Sequence, residues 1–332
     1  MKAPTRGDYV RLYFTMFQRF RQEQNESVHP GHPYDYSDCL LIVFFTLLLV
    51  RRITTFKAQR RWLDNHPEAA KELGFERLPD RTTLSRRYKS LYPVLQAFMA
   101  YLGAWAADLS PEFDSQALIE DGSLFKAQGP VWHQSDRKVG RVPEKLRNLD
   151  TEASWRKSAY HGWVYGYSLH FTCNSSGFPK LAQVETASTS ESEVLEQKTE
   201  QLFAFQPEAV IGDNAYFKAM RIRQWAARDV ILLTPAAKWK NGRYAEAYHD
   251  FTAQPPYNQW LKCRKTAIEP VFDLFAKVLG TTKNHKQLSV QGLAKVRTFL
   301  CLGVLAVQIA MIMNNVHDLP FRQISNLLSA LA

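Results

Sequence analysis

Between Gly162 and Cys173 the chain reads Gly-Trp-Val-Tyr-Gly-Tyr-Ser-Leu-His-Phe-Thr-Cys, and this stretch decides the fold. Trp163, Tyr165, Tyr167, Leu169, Phe171 and Cys173 alternate with small or polar residues, the period of two of a strand that buries one face. Further along, Lys180 to Thr186 predicts a second, weaker strand, and Ser190-Glu-Ser-Glu193 has the spacing of a capping box that opens a helix toward Phe203. Ala209 to Gly212 predicts a short buried strand, Asn214 caps a helix to about Arg228, and Val230 to Leu233 forms another strand. In the other direction, Ala117 to Leu124 is a compact apolar strand with Glu120 and Asp121 inside it. Strands followed by alternating helices and strands imply an α/β chain built on a mixed sheet flanked by helices.

A different texture precedes it. Residues 1–110 predict an all-helical domain, and residues 111–332 carry the α/β region with a final apolar helix. Ser37 and Asp38 can cap a helix through the run Leu40 to Val50, and Asp80 or Thr82 can open another that runs toward Tyr101. The second carries Arg81, Arg86, Arg87 and Lys89 in its first turns. Such a face is either a solvated positive surface or the second helix of a helix-turn-helix lying against phosphates, and both readings stay open here. Two stretches, Lys126 to Trp155 and Pro235 to Pro256, show no clear period. Their basic and aromatic residues, Lys138 and Arg141 near Trp132 in one, Trp239 and Lys240 in the other, suit packing anchors or stacking on unpaired bases.

Composition narrows the function classes. Of 332 residues 45% are hydrophobic, and 42 Lys and Arg against 32 Asp and Glu leave a charge of +10, which favours a polyanionic partner. Cys39, Cys173, Cys263 and Cys301 form no CxxC pair, so neither a zinc site nor a disulfide framework is expected, and a reducing cytoplasm fits. No secretory signal opens the chain, and the most apolar runs, Cys39 to Val50 and Phe299 to Met313, fall short of the roughly 18 residues of a membrane span. They predict buried core helices and no membrane partner. GxGxxG, GxxxxGK[ST], HExxH and GxSxG are all absent, which removes the fingerprints of dinucleotide binding, P-loop hydrolysis, zinc proteolysis and α/β-hydrolase chemistry.

Carboxylates remain. Asp121 lies in an apolar strand before Gly-Ser, Asp213 directly follows Ala-Val-Ile-Gly, and Glu269 sits within Arg264-Lys-Thr-Ala-Ile-Glu-Pro-Val-Phe. Singly each has a structural role: a tight turn at Asp121-Gly122, a helix N-cap at Asp213, and a capping box from Thr266 to Glu269 with Pro270 in the first turn of a helix. Their order on successive elements changes the balance. Ile119-Glu-Asp-Gly-Ser123, Gly162 to His170, Ile211-Gly-Asp-Asn-Ala-Tyr216 and Arg264 to Lys277 together resemble the DDE transposases of bacterial insertion sequences, whose catalytic domain is ribonuclease H-like. Pro79 to Arg86 and the apolar C-terminal helix also resemble that family, so the likeness runs from about Ser37 to Asn315.

The resemblance implies a ribonuclease H-like sheet and a site in which Asp121, Asp213 and Glu269 hold two Mg²⁺ ions, with Mn²⁺ as a substitute. It implies binding of terminal inverted repeats and target DNA, cleavage and strand transfer, and a homodimer or higher oligomer on DNA in the bacterial nucleoid. Lys265 and Lys277 flank the Glu as phosphate contacts, with Arg264 the alternative to Lys265. The family commonly has Arg where Lys265 stands, and Lys277 falls one position late. His133, His161 and His170 are candidate acid/base groups, although a strand histidine more often serves structure. Two alternatives belong to other classes: a transposase-derived repressor that binds DNA without cutting it, and a ribonuclease H-like nuclease specific for DNA structure.

Overall fold

The computed structural model describes residues 3–24, 35–144, 146–158, 162–235, 243–281 and 286–332. The six helices before the sheet are α1 (Arg6–Glu23), α2 (Asp38–Val50), α3 (Phe56–Asn65), α4 (Pro67–Leu73), α5 (Arg81–Ser90) and α6 (Tyr92–Trp105). Ser37 caps α2 by accepting from Leu40 N–H, and every α2 side chain from Cys39 to Val50 is buried. Asp80 caps α5 through Thr83 N–H. The helix expected from here to Tyr101 is two helices, because Pro93 cannot donate to the turn before it and instead takes a place in the first turn of α6.

Six strands follow: β1 (Ala117–Lys126), β2 (Ser154–Ser158), β3 (Gly162–Asn174), β4 (Pro179–Thr186), β5 (Ala209–Ile211) and β6 (Ile231–Leu233). Their order is β2-β3-β1-β5-β6, with β4 also pairing β3. The long β3 runs antiparallel to β1, β2 and β4, with β2 on its first residues and both β1 and β4 on the remainder, whereas β5 is parallel to both β1 and β6. This is the mixed ribonuclease H-like sheet expected above. At Gly166 a Cβ would lie 1.9 Å from Phe125 O, so β1 can approach β3 there only because the side chain is missing.

Helices cover both faces. On one side α8 (Glu191–Phe203) and α9 (Ala219–Ala226) pack with Leu118, Val210 and Leu232. On the other, Ile119, Phe125, Tyr167, Phe171 and Ile211 join one core with α11 (Tyr257–Leu279) and α12 (Leu293–Val316). That core continues into the N-terminal helices: Gln308, fully buried in α12, donates to Met99 O on α6 and to Pro179 O on β4. By length and hydropathy α12 could cross a membrane, yet 94% of its apolar window is buried inside the protein, so it is a core helix, as its sequence predicts. The chain ends in α13 (Ser325–Leu331).

Local structure departs from expectation in several places. The stretches without period contain α7 (Gln134–Lys138) and α10 (Arg243–Ala253), and the first of them runs into the start of β2. Asp213, not Asn214, is the cap, and it caps a single 3-10 turn before α9. Asp121-Gly122 is no turn, because β1 runs straight through it. Pro270 lies inside α11, well beyond its first turn. Proline cannot bond Thr266 O, and that carbonyl accepts instead from Arg322, whose guanidinium also donates to Ser176 O.

A buried cation ties β4 to its surroundings. The Lys180 ammonium is fully enclosed, donates to Gly103 O and Phe113 O at 2.6 Å each, and stands 5.5 Å from the rings of Phe178 and Phe205. Burial pushes its pKa down to about 7. Between pH 7 and 10 the unfolded chain therefore holds more of this proton than the folded one, and stability should rise with pH by up to about 1.4 kcal/mol per unit. Urea denaturation at pH 7, 8 and 9 is expected to show this gain in the parent and not in Lys180→Met.

Candidate active site

Asp121 belongs to the same face of β1 as Ile119 and Phe125, and it is paired in register with Phe171. Its Oδ1 accepts from Gly122 N–H at 2.8 Å, and its Oδ2 lies 3.2 Å from Arg264 Nη1, so α11 reaches the middle of β1 through a guanidinium. Burial pushes the Asp121 carboxyl up to about 6; Arg264 and the Gly122 N–H pull it back, while Asp213 and Glu120 add to the rise. Asp213 stands just past the end of β5, beside β1, with its Oδ1 on Ala215 N–H at 2.7 Å. The two aspartates thus share one electrostatic neighbourhood.

Glu269 is placed differently. It is on α11 with Arg264, but five residues along a helix turn the side-chain direction by about 140°, so the two cannot face the same point. The Glu269 side chain is exposed, and among the described residues it makes no hydrogen bond or ion pair. Glu191, at the first position of α8, is the acid that does come close. A Cβ on Gly122 would lie 3.2 Å from Glu191 Oε1, so its carboxyl rests against the residue after Asp121. Burial pushes Glu191 up, Arg156 draws it down, and Asp213, Asp121 and Glu120 all push it further up. Arg156, on β2, donates to Glu191 Oε1 at 2.7 Å and to Thr189 O at 3.0 Å.

Behind Asp121 the sheet holds a sealed ion pair. Lys198 Nζ lies 2.7 and 2.8 Å from the two Glu120 oxygens and 2.8 Å from Thr172 Oγ1, and both charged side chains are 1% exposed. Burial pushes Glu120 up and Lys198 down, and their mutual attraction opposes both shifts. His170, opposite Gly122 in the sheet, is fully buried with Nε2 on Ser168 Oγ, and burial drives its pKa down to about 3. A neutral imidazole locked this way serves structure. His133 is exposed, and His161 lies outside the described residues.

The basic residues divide into outward and inward sets. Lys265 and Lys277 are exposed on α11, and Arg81, Arg86 and Lys89 on α5. Arg87 turns inward, 4% exposed, donating to Tyr36 O and pairing with Asp38 at 2.6 Å. Its place in the series Leu84, Arg87, Tyr88, Leu91 marks the buried stripe of the helix, a signal visible in the spacing. Lys138 is exposed, and Arg141 pairs with Asp136. Trp239 and Lys240 lie outside the described residues. Glu191, Arg156 and Lys198 do not stand out in the sequence, since a first-turn acid reads as a dipole partner and lone basic residues as surface.

Hard carboxylate oxygens are the ligands a divalent cation such as Mg²⁺ takes, so Asp121, Asp213 and Glu191 fit it in kind. Among the described residues no three such groups are gathered tightly enough to hold an ion as they stand. Guanidinium groups sit on two of them, Arg264 on Asp121 and Arg156 on Glu191.

A family model described as "Transposase DDE domain" matches residues 112–307, from just before β1 into α12. No curated protein matches the chain. Two solved structures are similar to it. One is a piggyBac transposase synaptic complex with hairpin DNA, at 12% identity and TM-score 0.44, covering 100% of this chain and 81% of that one. The other is a pre-cleavage Mos1 transpososome, at 10% identity and TM-score 0.21, covering 91% and 85%. The scaffold under the site can be tested chemically. Lys198→Met should cost about 3 to 5 kcal/mol by stranding Glu120, and Glu120→Leu/Lys198→Met should regain most of it, as read by equilibrium denaturation.

Proposed function

Since the chain belongs to the transposase DDE domain family, we propose that it cleaves DNA at the terminal inverted repeats of an insertion sequence and joins the freed 3′-hydroxyls to target DNA. The observation that carries this reading is the nearness of Asp121, in the middle of β1, to Asp213, just past the end of the neighbouring parallel β5, inside the matched region. By family resemblance Glu269 is the third carboxylate. Two Mg²⁺ ions, or Mn²⁺ in their place, would activate water or a 3′-hydroxyl and offset charge on the entering and leaving oxygens of the phosphodiester.

The protein's own groups bind and orient. Asp121 is held against Gly122 N–H and Arg264, so its carboxyl has a fixed direction before any ligand arrives. Asp213 is fixed by the 3-10 turn it caps. Arg264, partly buried at the junction of α11 and β1, stands where it can pass from Asp121 to a scissile phosphate, a bidentate acceptor that suits a guanidinium better than an ammonium. Lys265 and Lys277 contact phosphates to either side. Further away, Arg81, Arg86 and Lys89 of α5 follow the DNA backbone, residues 1–110 serving as the binding domain and 111–332 as the catalytic one. Ends cut in step call for at least a homodimer on DNA, working at the nucleoid.

Two measurements check the proposal. Asp213→Asn is expected to abolish cleavage and joining of element-end DNA by at least about 100-fold while binding survives. Cutting without joining would favour a nuclease, and binding without cutting in the parent would favour a repressor. Replacing Arg81, Arg86 and Lys89 by Ala should weaken DNA binding and flatten the slope of log affinity against log salt by about 0.9 for each phosphate these side chains neutralise.

A further inference from the structure

We propose that Glu191 is a further metal-binding carboxylate of the site, and that Arg156 occupies it as a resident cation until the metal displaces it. This rests on the transposase reading and adds a residue that the family's DDE pattern does not contain.

The geometry comes first. Glu191 leaves the N-terminus of α8 and lays its carboxyl over Gly122, the residue between Asp121 and Ser123 on β1. A side chain at 122 would press on it, since Oε1 would stand 3.2 Å and Cγ 3.4 Å from a Cβ there. Glycine at this position thus gives the acid its place next to Asp121. Charge comes second. Glu191 lies in the field of Asp213, Asp121 and Glu120 together, and an acid placed for helix capping alone would gain nothing from that company. Glu193, two residues on, is exposed and can serve the α8 dipole. The third observation is directly beneath. His170, opposite Gly122, is fully buried, and its Nδ1 has no hydrogen-bond partner among the described residues.

Arg156 explains how such a site persists without metal. Its guanidinium bonds Glu191 at 2.7 Å and is anchored at Thr189 O, matching the Arg264 contact on Asp121. Asp213 is left with a backbone N–H and no counter-ion in contact among the described residues. A dication that entered between the three acids would compete with both arginines and release them toward the phosphate backbone. Unlike Glu269, exposed on α11, Glu191 already lies against β1 at the residue after Asp121.

The test is Mn²⁺ titration of the full-length protein, read by loss of the free-ion electron paramagnetic resonance signal. Glu191→Gln, which keeps the shape, should weaken binding by about 10-fold or more, and Glu191→Asp should restore part of it. Arg156→Gln should tighten binding several-fold, because it removes the competitor; a purely structural Arg156–Glu191 pair predicts no tightening. Should Glu191→Gln fail to fold by circular dichroism, the Arg156→Gln result decides alone. Parent-like Mn²⁺ affinity in folded Glu191→Gln, with binding abolished in Asp213→Asn, would overturn this inference and leave the transposase reading standing. A parent protein that binds no Mn²⁺ at millimolar concentration would remove both.

Discussion

An α-helix that is apolar on all sides can exist in water only where other elements cover it completely, and α12 imposes this condition on the whole chain. Each Leu, Ile or Val it buries contributes about 1.5 to 3 kcal/mol, and the cover comes from both halves of the sequence. The β4 strand and α11 close one flank while α1, α2, α5 and α6 close the rest. Hydrogen bonds fix the angle of contact, since Gln308 joins α6 to β4 and Thr298 donates to Tyr88 O at the end of α5. The helical segment and the sheet are therefore registered to each other through a shared interior, and the basic face of α5 holds a set orientation to the acids on β1.

Within that frame the site is an exercise in charge matching. Lys198 is sealed against Glu120, Arg264 meets Asp121, and Arg156 meets Glu191. The first pair is out of reach of solvent and belongs to the scaffold. The other two are only partly buried. A guanidinium beside a carboxylate offsets the cost of burying its charge, and it remains charged across the whole physiological pH range.

Much of this is legible in the sequence, for physical reasons. The alternation from Trp163 to Cys173 is β3, the run Ala117 to Leu124 lies in β1, and Ser190 caps α8 as its spacing implies. Asp121 and Asp213 can be found because each follows or interrupts a short apolar strand. Other features depend on partners far along the chain. Pro270 reads as a helix start because an interior proline forfeits a hydrogen bond, and only the distant Arg322 compensates for it. Glu191 reads as a capping acid because nothing local tells that Gly122 will lie under it. The basic run after α2 reads as surface, yet Arg51 donates to Leu331 O and Arg52 to Lys277 O, carbonyls at the ends of two other helices.

The Arg322 contact has a wider meaning for how the chain is assembled during translation. The bond that steadies α11 beside Glu269 is donated by a residue made well after the whole sheet, and the same guanidinium holds Ser176 in the loop between β3 and β4. The donor that replaces the hydrogen bond lost at Pro270 is thus among the last residues of this sequence to be made. Its guanidinium closes three separated stretches of chain, the β3–β4 loop, α11 and the segment after α12, into one contact.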